Sequence, residues 1–355
     1  MRALVTGAGG FVGGHVVRTL LAAGHRVRAL VLPREPRTNL AGLDVEIAVG
    51  DVTDRGSLAA AMRGVDAVFH VAAVYALWLR DPERMWQVNV QGTRNVLELA
   101  HERRLRVVHT SSIARFGGQG RGHRATEASP FCLGATGDRY SISKNAAHEV
   151  AVRAAREGRD VVIAAPCGPI GPGDVAPTPT GKLLLACLSL PIVTVTRTVT
   201  NFVDVREVAL AHLRAFERGR PGDVFLVGHR DLSLAELARL ALRALGREGR
   251  PVVEVPTALA LAAGHAAERI AGLTGRSPVL TASAAKIAAL GLAADTSVAA
   301  RALSLPGTPI ETSIADALSW FERHGYLARV TPFVAISPLA QPSAGRNSSA
   351  TPFMQ

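Results

Sequence analysis

Short runs of apolar, often β-branched residues alternate with longer amphipathic segments over the first third of the chain. RALVTG at 2–7, RVRALVL at 26–32, VEIAVGD at 45–51, AVFHVAA at 67–73 and RVVHTSS at 106–112 are largely apolar, without the in-out alternation of a strand wetted on one face. Such runs suit a parallel sheet covered on both sides by helices. Between them, GFVGGHVVRTLLAAG at 10–24 and NVQGTRNVLELAHERR at 89–104 repeat apolar residues at helical spacing. The pattern predicts βαβ units in series and a doubly wound α/β fold, extended by a helix from about Tyr140 to Glu157 and strands at DVVIAAP (160–166) and FLVG (225–228).

The texture changes beyond Pro166. GPIGPGDVAPTPTG at 168–181 is punctuated by Pro and Gly and predicts a loop. NFVDVREVALAHLRAFERG at 201–219 returns to strand and helix, and mainly helical segments follow from Ser233 to about Arg329. The expected organisation is a dinucleotide-binding Rossmann domain over 1–170, rejoined by 198–230, with a smaller, mainly helical substrate lobe from 171–197 and 231–329. Residues 330–355 lack periodicity, are rich in Pro and Ser, and are expected to be a disordered tail.

Composition narrows the partners. The formal net charge is +11, but the arginines are scattered and form no run of five, so nucleic acid is not expected, and an acidic small substrate or cofactor is left as the alternative. Cys132, Cys167 and Cys187 are odd in number and lack metal-ligand spacing, which fits a reducing compartment and neither a disulfide framework nor a zinc site. MRALVTG enters a strand-like run at its first residue, so the expected location is the cytoplasm. KLLLACLSLPIVTV and TALALAAGHAAERIAG are both interrupted short of the roughly 18–20 residues of a membrane span. No stable membrane insertion is expected; the second segment reads as a core helix, with contact at a membrane surface as its alternative.

Gly7, Gly10 and Gly13 in TGAGGFVG follow the first strand and open the first helix, where glycines permit a tight turn, close approach of a pyrophosphate and packing of helix on strand. Free N–H groups and the helix dipole there favour phosphate. About 20 residues on, a chain preferring NAD usually presents an acid at the end of the second strand. Here Glu35 is the only acid between Gly13 and Asp44, while Arg34 and Arg37 are placed to clamp a ribose 2'-phosphate, although Leu32 holds a position where a basic residue would be more telling. The expected cofactor is therefore NADP, with NAD as the alternative. Asp51 is placed either to accept from an adenine amino group or to act as a turn or N-cap residue.

The chain has three tyrosines and three lysines, and YSISK sets Tyr140 four residues before Lys144. On a helix the two share a face. Either that face is merely solvated, or the ammonium lowers the phenol pKa for chemistry.

The glycine turn, GDVTD, VFHVAA, NVQGT, HTSS and YSISK occur in the order that resembles the extended short-chain dehydrogenase/reductase superfamily, over residues 1 to about 329. Within it, TGAGGFVG, VYALWLRDPE, NVQGTRNV, GPGDVAPTPTG and AFERG are most similar to the dihydroflavonol-reductase-like branch, which includes proteins called hopanoid-associated sugar epimerases. The resemblance implies a catalytic Ser112, chosen over Ser111 by its spacing to SIARFG, with Tyr140 as proton donor and Lys144 as the amine that lowers its pKa and binds the nicotinamide ribose. It also implies cofactor contacts at Phe11, Val12, Val52, Ala72 and Pro166, a supporting Asn89, and a homodimer through 80–103 and 140–157.

The chain departs from sugar-nucleotide epimerases at Ala165, Pro166, Cys167 and Gly168, where they commonly carry Arg-Pro and then Asn, and their nucleotide-binding string has no clear counterpart, Arg197 being at best a candidate remnant. The expected activity is accordingly NADPH-dependent reduction of a carbonyl on a mid-sized hydrophobic metabolite, or the reverse alcohol oxidation. A sugar-nucleotide epimerase or dehydratase retaining its NAD, and a non-catalytic NADP-binding sensor, are the alternatives. Tyr75, Trp78 and Trp86 are candidates to line the substrate pocket or to pack helices; His70 and Cys167 are expected to be structural, His70 with a cofactor-side alternative.

Overall fold

The computed structural model describes residues 1–75, 81, 83–120, 122–274, 278 and 280–326. Trp78 and the expected tail at 330–355 lie outside them. The first half runs β1 (Arg2–Thr6), α1 (Phe11–Ala22), β2 (Arg26–Val31), β3 (Glu46–Val49), α2 (Arg55–Ala61), β4 (Ala67–His70), α3 (Glu83–Trp86), a π-helical stretch at Gln87–Gly92, α4 (Thr93–Glu102), β5 (Arg106–Thr110), α5 (Arg139–Arg156) and β6 (Val161–Pro166). There follow β7 (Gly168–Ile170), α6 (Pro179–Ser189), β8 (Val193–Thr196), β9 (Val199–Asp204), α7 (Val205–Arg218), β10 (Val224–Val227), β11 (Arg230–Ser233), α8 (Leu234–Ala244), β12 (Val252–Val255), α9 (Thr257–Thr274), α10 (Ala282–Leu290), α11 (Ser297–Ala302) and α12 (Ile310–Arg323).

Seven strands form one parallel sheet in the order β10-β6-β5-β4-β1-β2-β3. The apolar runs expected from the sequence are these strands, and apart from the edge strand β3 their residues are largely buried because helices cover both faces: Val5, Phe69 and Val108 pack with Val16, Val17 and Val208 of α1 and α7. On the other face Leu4, Val68 and Val107 pack with Leu58, Val96 and Ala151 of α2, α4 and α5. The strand order reverses direction between β1 and β4, and the carboxyl ends of the strands beside such a switch point form the crevice in which open α/β sheets bind ligands.

The stretch expected as a continuous loop at 168–181 instead contains β7 and the first turn of α6. β7 is held by pairing with β9, and α6 begins at Pro179 after Thr178, whose hydroxyl accepts from the Gly181 N–H. Two small sheets, β11-β9-β7 and β12-β8, bear on a separate apolar cluster built from α6, α8 and α12 around Leu184, Leu237, Ile314 and Phe321. Among the described residues, no helix is long and apolar enough to cross a membrane.

Candidate active site

The turn from β1 into α1 has no room for side chains. Gly7 adopts φ +65°, and a Cβ there would stand 2.7 Å from the Ala72 Cα. At Gly13 a Cβ would lie 2.0 Å from the Gly7 carbonyl oxygen, so its absence lets α1 settle on the strand. Gly10 is the N-cap of α1 and provides no side-chain cap, leaving the first N–H groups of the helix, from Phe11 onward, free for an anion. Asn39 was not singled out by the sequence, and no local spacing signals it. Its buried amide donates to the carbonyls of Gly9 (3.2 Å), Gly10 (3.1 Å) and Gly173 (2.9 Å), tying the turn to the segment after β7.

At the end of β2, Arg34 and Arg37 are exposed, and Arg34 takes φ 70°. Glu35 turns back instead: its carboxylate accepts from the Leu32 N–H at 2.8 Å and lies against Gly9, where burial raises its pKa. Asp51 accepts from the N–H and hydroxyl of Thr53 at 2.9 and 2.8 Å and meets Arg84 at 2.5 Å, which makes it a turn and ion-pair residue in this structure. Val52 is buried against Gly92, Val12 packs on the core under α1, the Phe11 ring meets His15 edge-on, and Pro166 closes β6.

Ser112, Tyr140 and Lys144 come together at the carboxyl end of β5. Ser112 caps a short 3-10 turn, its hydroxyl accepting from the Ala114 N–H at 3.2 Å and hydrogen-bonded to the Tyr140 phenol. Ser111, its neighbour, points elsewhere and bonds the His148 Nδ1 at 3.0 Å. Asp138 starts α5 by accepting from the N–H of Ser141 at 2.7 Å, an N-cap legible in DRYS, and so fixes Tyr140 in the first turn. Lys144 sits one turn on, within a buried stripe that continues through Ala147, His148 and Ala151, so the solvated-face alternative does not hold. Its ammonium donates to the Thr110 carbonyl at 2.7 Å.

The electrostatics correct one expectation. Burial pushes the Tyr140 phenol up to about 12, against the pull of the Ser112 hydrogen bond, and Lys144 does not draw it down. Burial also brings the Lys144 ammonium down to about 8. Asn89 spends its amide on the scaffold: it accepts from the Val74 N–H (2.7 Å) and donates to the Val74 carbonyl and the Ser143 hydroxyl, both at 3.0 Å. Tyr75, next in the chain, is 48% exposed and its ring lies tilted against that of Tyr140 with centroids 4.4 Å apart, whereas Trp86 is exposed on α3.

Beneath this site lies a shell of buried histidines. His70 bridges the hydroxyls of Thr6 (2.8 Å) and Thr93 (3.0 Å), and His212 links the Thr110 hydroxyl to the Val208 carbonyl. Burial holds all of them neutral, at about 3 for His70 and His148 and about 4 for His212. His109 packs on His70 with centroids 5.4 Å apart, and neither of its ring nitrogens has a hydrogen-bond partner among the described residues. A buried polar group left in that state costs about 1–3 kcal/mol. Replacing His109 by Phe is therefore expected to stabilise the fold by ~1 kcal/mol, a rise of roughly 2–4 °C in Tm by calorimetry; a lower Tm would show that the imidazole is satisfied. Cys167 is buried, and burial raises its thiol well above the ordinary range, as for a packing residue.

The model of the NAD dependent epimerase/dehydratase family matches residues 3–228. The chain belongs to this family. It is accordingly an NAD(P)-dependent oxidoreductase of the extended short-chain dehydrogenase/reductase type. It is 39% identical to a putative dihydroflavonol 4-reductase of Synechocystis over 91% of this chain and 95% of that protein, which supports the branch seen in the motifs. A sterol demethylase protein B of Methylococcus capsulatus is 32% identical, over 92% of this chain and 100% of its own. Among solved structures, the dTDP-glucose 4,6-dehydratase DesIV of Streptomyces venezuelae, with NAD and TYD bound, superposes with a TM-score of 0.74 at 26% identity, covering 92% of this chain and 98% of its own.

Proposed function

We propose that this enzyme uses NADPH to reduce a carbonyl group on a mid-sized hydrophobic metabolite, with Ser112, Tyr140 and Lys144 as its catalytic residues. The observation that carries the reading is the meeting of the Ser112 hydroxyl with the Tyr140 phenol one helical turn from a buried Lys144, on the sheet edge that also bears the glycine turn. Bound NADPH supplies the hydride; the protein manages the oxygen and its proton. Ser112 hydrogen-bonds the carbonyl oxygen and orients it. Tyr140 gives that oxygen its proton as the carbon is reduced. A phenol at about 12 is protonated throughout the physiological range, which suits an acid in the reductive direction better than a base in the oxidative one. Lys144 keeps two N–H donors beyond the one on Thr110, and these would hold the ribose hydroxyls of the bound cofactor.

The preference for NADPH rests on Arg34 and Arg37, both exposed at the end of β2, while the Glu35 carboxylate is engaged by its own turn. Charge-assisted hydrogen bonds are worth about 1.5–3 kcal/mol. Arg37→Ala is thus expected to weaken NADPH binding by about tenfold or more and to leave NADH unchanged, as read by titrating the fluorescence of the reduced nicotinamide. Tighter binding of NADH, weakened by Glu35→Gln, would assign the site to NAD instead.

The relatives named for a dihydroflavonol reductase and a sterol demethylase support a hydrophobic substrate. Arg197, the candidate remnant of a sugar-nucleotide string, is engaged with Glu254 at 3.3 Å. The test is net NADPH consumption with a panel of ketones. Turnover of a sugar nucleotide on retained NAD, with no net consumption, would replace this reading by epimerase or dehydratase chemistry.

A further inference from the structure

A half-exposed aromatic tilted against the proposed acid calls for a physical account. Tyr75 lies past the end of β4, where the chain has left the sheet, yet its backbone is not free. Val74, immediately before it, is gripped on both its N–H and its carbonyl by the Asn89 amide, and the same amide reaches Ser143 on α5, three residues after Tyr140. One side chain therefore ties the Tyr75 segment to the helix that bears the acid. The Tyr75 ring faces the Tyr140 ring with the planes tilted by 40° and 4.4 Å between centroids, and the residue is 48% exposed.

We propose that Tyr75 is a positioning residue for the reaction: its ring covers Tyr140, keeps water from the phenol, and holds that phenol on the Ser112 hydroxyl. Among the described residues, Ser112 from the turn after β5, Asp138 from α5 and Tyr75 act on Tyr140, with Lys144 one turn on in α5, while Asp174 bears on Tyr75 from the segment after β7. Asp138 accepts from the N–H and hydroxyl of Ser141, and its charge adds to the rise in the phenol pKa, while Asp174 accepts from the N–H and hydroxyl of Thr178. Lys144 is directed at Thr110. Burial is the largest cause of the raised phenol pKa, and Tyr75 is the side chain of this group that itself reaches solvent. Removing it opens the acid to water and lowers its pKa toward the ordinary value near 10. An aromatic pair of this kind also contributes to holding the acid in place, an effect of roughly tenfold.

The role rests on Tyr140 acting as the acid, but its first test needs no substrate. Tyrosinate absorbance is followed against pH in Tyr75→Ala and in Tyr75→Ala/Tyr140→Phe, and the difference isolates the Tyr140 titration; the same pair is made on Tyr75→Phe. The expected midpoint for Tyr140 is at least one pH unit lower beside alanine than beside phenylalanine. With a ketone that the enzyme reduces, Tyr75→Ala is expected to lose about tenfold in kcat while Tyr75→Phe stays within about twofold of the parent. Equal midpoints in the two backgrounds would overturn the inference, as would a Tyr75→Phe variant as slow as Tyr75→Ala. Protein that shows the shifted midpoint but reduces no carbonyl would overturn the proposed reaction and leave the cover in place.

Discussion

Tyr140→Phe is expected to lower kcat for carbonyl reduction by about a thousandfold while leaving NADPH affinity within about threefold, because it removes the proposed proton donor and keeps the ring. The structure limits what else the substitution touches. Tyr140 is half-buried in the first turn of α5, the helix start is held by Asp138 rather than by the phenol, and Lys144 has its own partner in the Thr110 carbonyl. The parent enzyme should show one alkaline limb near neutrality. With the phenol at about 12, Tyr140 stays protonated across the working range, whereas Lys144, lowered to about 8, loses its charge as pH rises through that value. The reductive rate therefore falls above about pH 8. In Lys144→Met that limb disappears and the rate is low throughout, by kcat measured from pH 6 to 10. A Tyr140→Phe protein with undiminished turnover would remove the acid from the mechanism, and one whose loss of rate matched a loss of cofactor binding would make Tyr140 a structural residue.

The same helix shows where sequence suffices and where it does not. The strands of the main sheet were legible because both faces are covered, which forces near-continuous apolar runs that need no knowledge of partners. The meeting of Tyr140 and Lys144 was legible from i, i+4 spacing, and the buried stripe through Ala147 and Ala151 explains why the lysine is inside. The direction of the phenol pKa was not legible, since spacing carries the charge of a neighbour but not the burial that outweighs it. Nor were the small sheets: β7 is a strand only because β9, more than 30 residues later, lies alongside it. Asn39 belongs to the same class, as its three acceptors come from residues 9, 10 and 173. Glu35 and Arg34 are adjacent in sequence, and the turn between Leu32 and Glu35 decides which of them meets the glycine loop. Local periodicity reports what every compact α/β sheet requires. Contacts closed over long loops, which set the selectivity of a site, leave no local mark.

The glycine turn allows two roles to be separated by two alanines. At Gly13 the added Cβ would lie 2.0 Å from the Gly7 oxygen, 2.8 Å from the Gly7 carbonyl carbon and 3.1 Å from the Ala8 Cα. All three are backbone atoms of the turn on which α1 rests, so the clash is relieved only by moving the helix off β1. That movement disturbs Val16 and Val17, both fully packed in the core beneath it. Overpacking of this kind costs about 3 kcal/mol, and for a chain of this size Gly13→Ala should lower Tm by roughly 10 °C and abolish measurable NADPH binding. At Gly10 the Cβ meets nothing closer than the Gly7 oxygen at 3.3 Å, and the residue is the uncapped N-terminus of α1. Gly10→Ala should fold with a Tm within about 2 °C of the parent yet bind NADPH at least tenfold more weakly, because its methyl group would stand where the proposed site takes the pyrophosphate. Calorimetry and nucleotide titration on both variants read the two effects separately. If Gly10→Ala bound NADPH as the parent does, the dinucleotide would not lie on this turn; if Gly13→Ala were as stable as the parent, α1 would not be seated by that missing side chain.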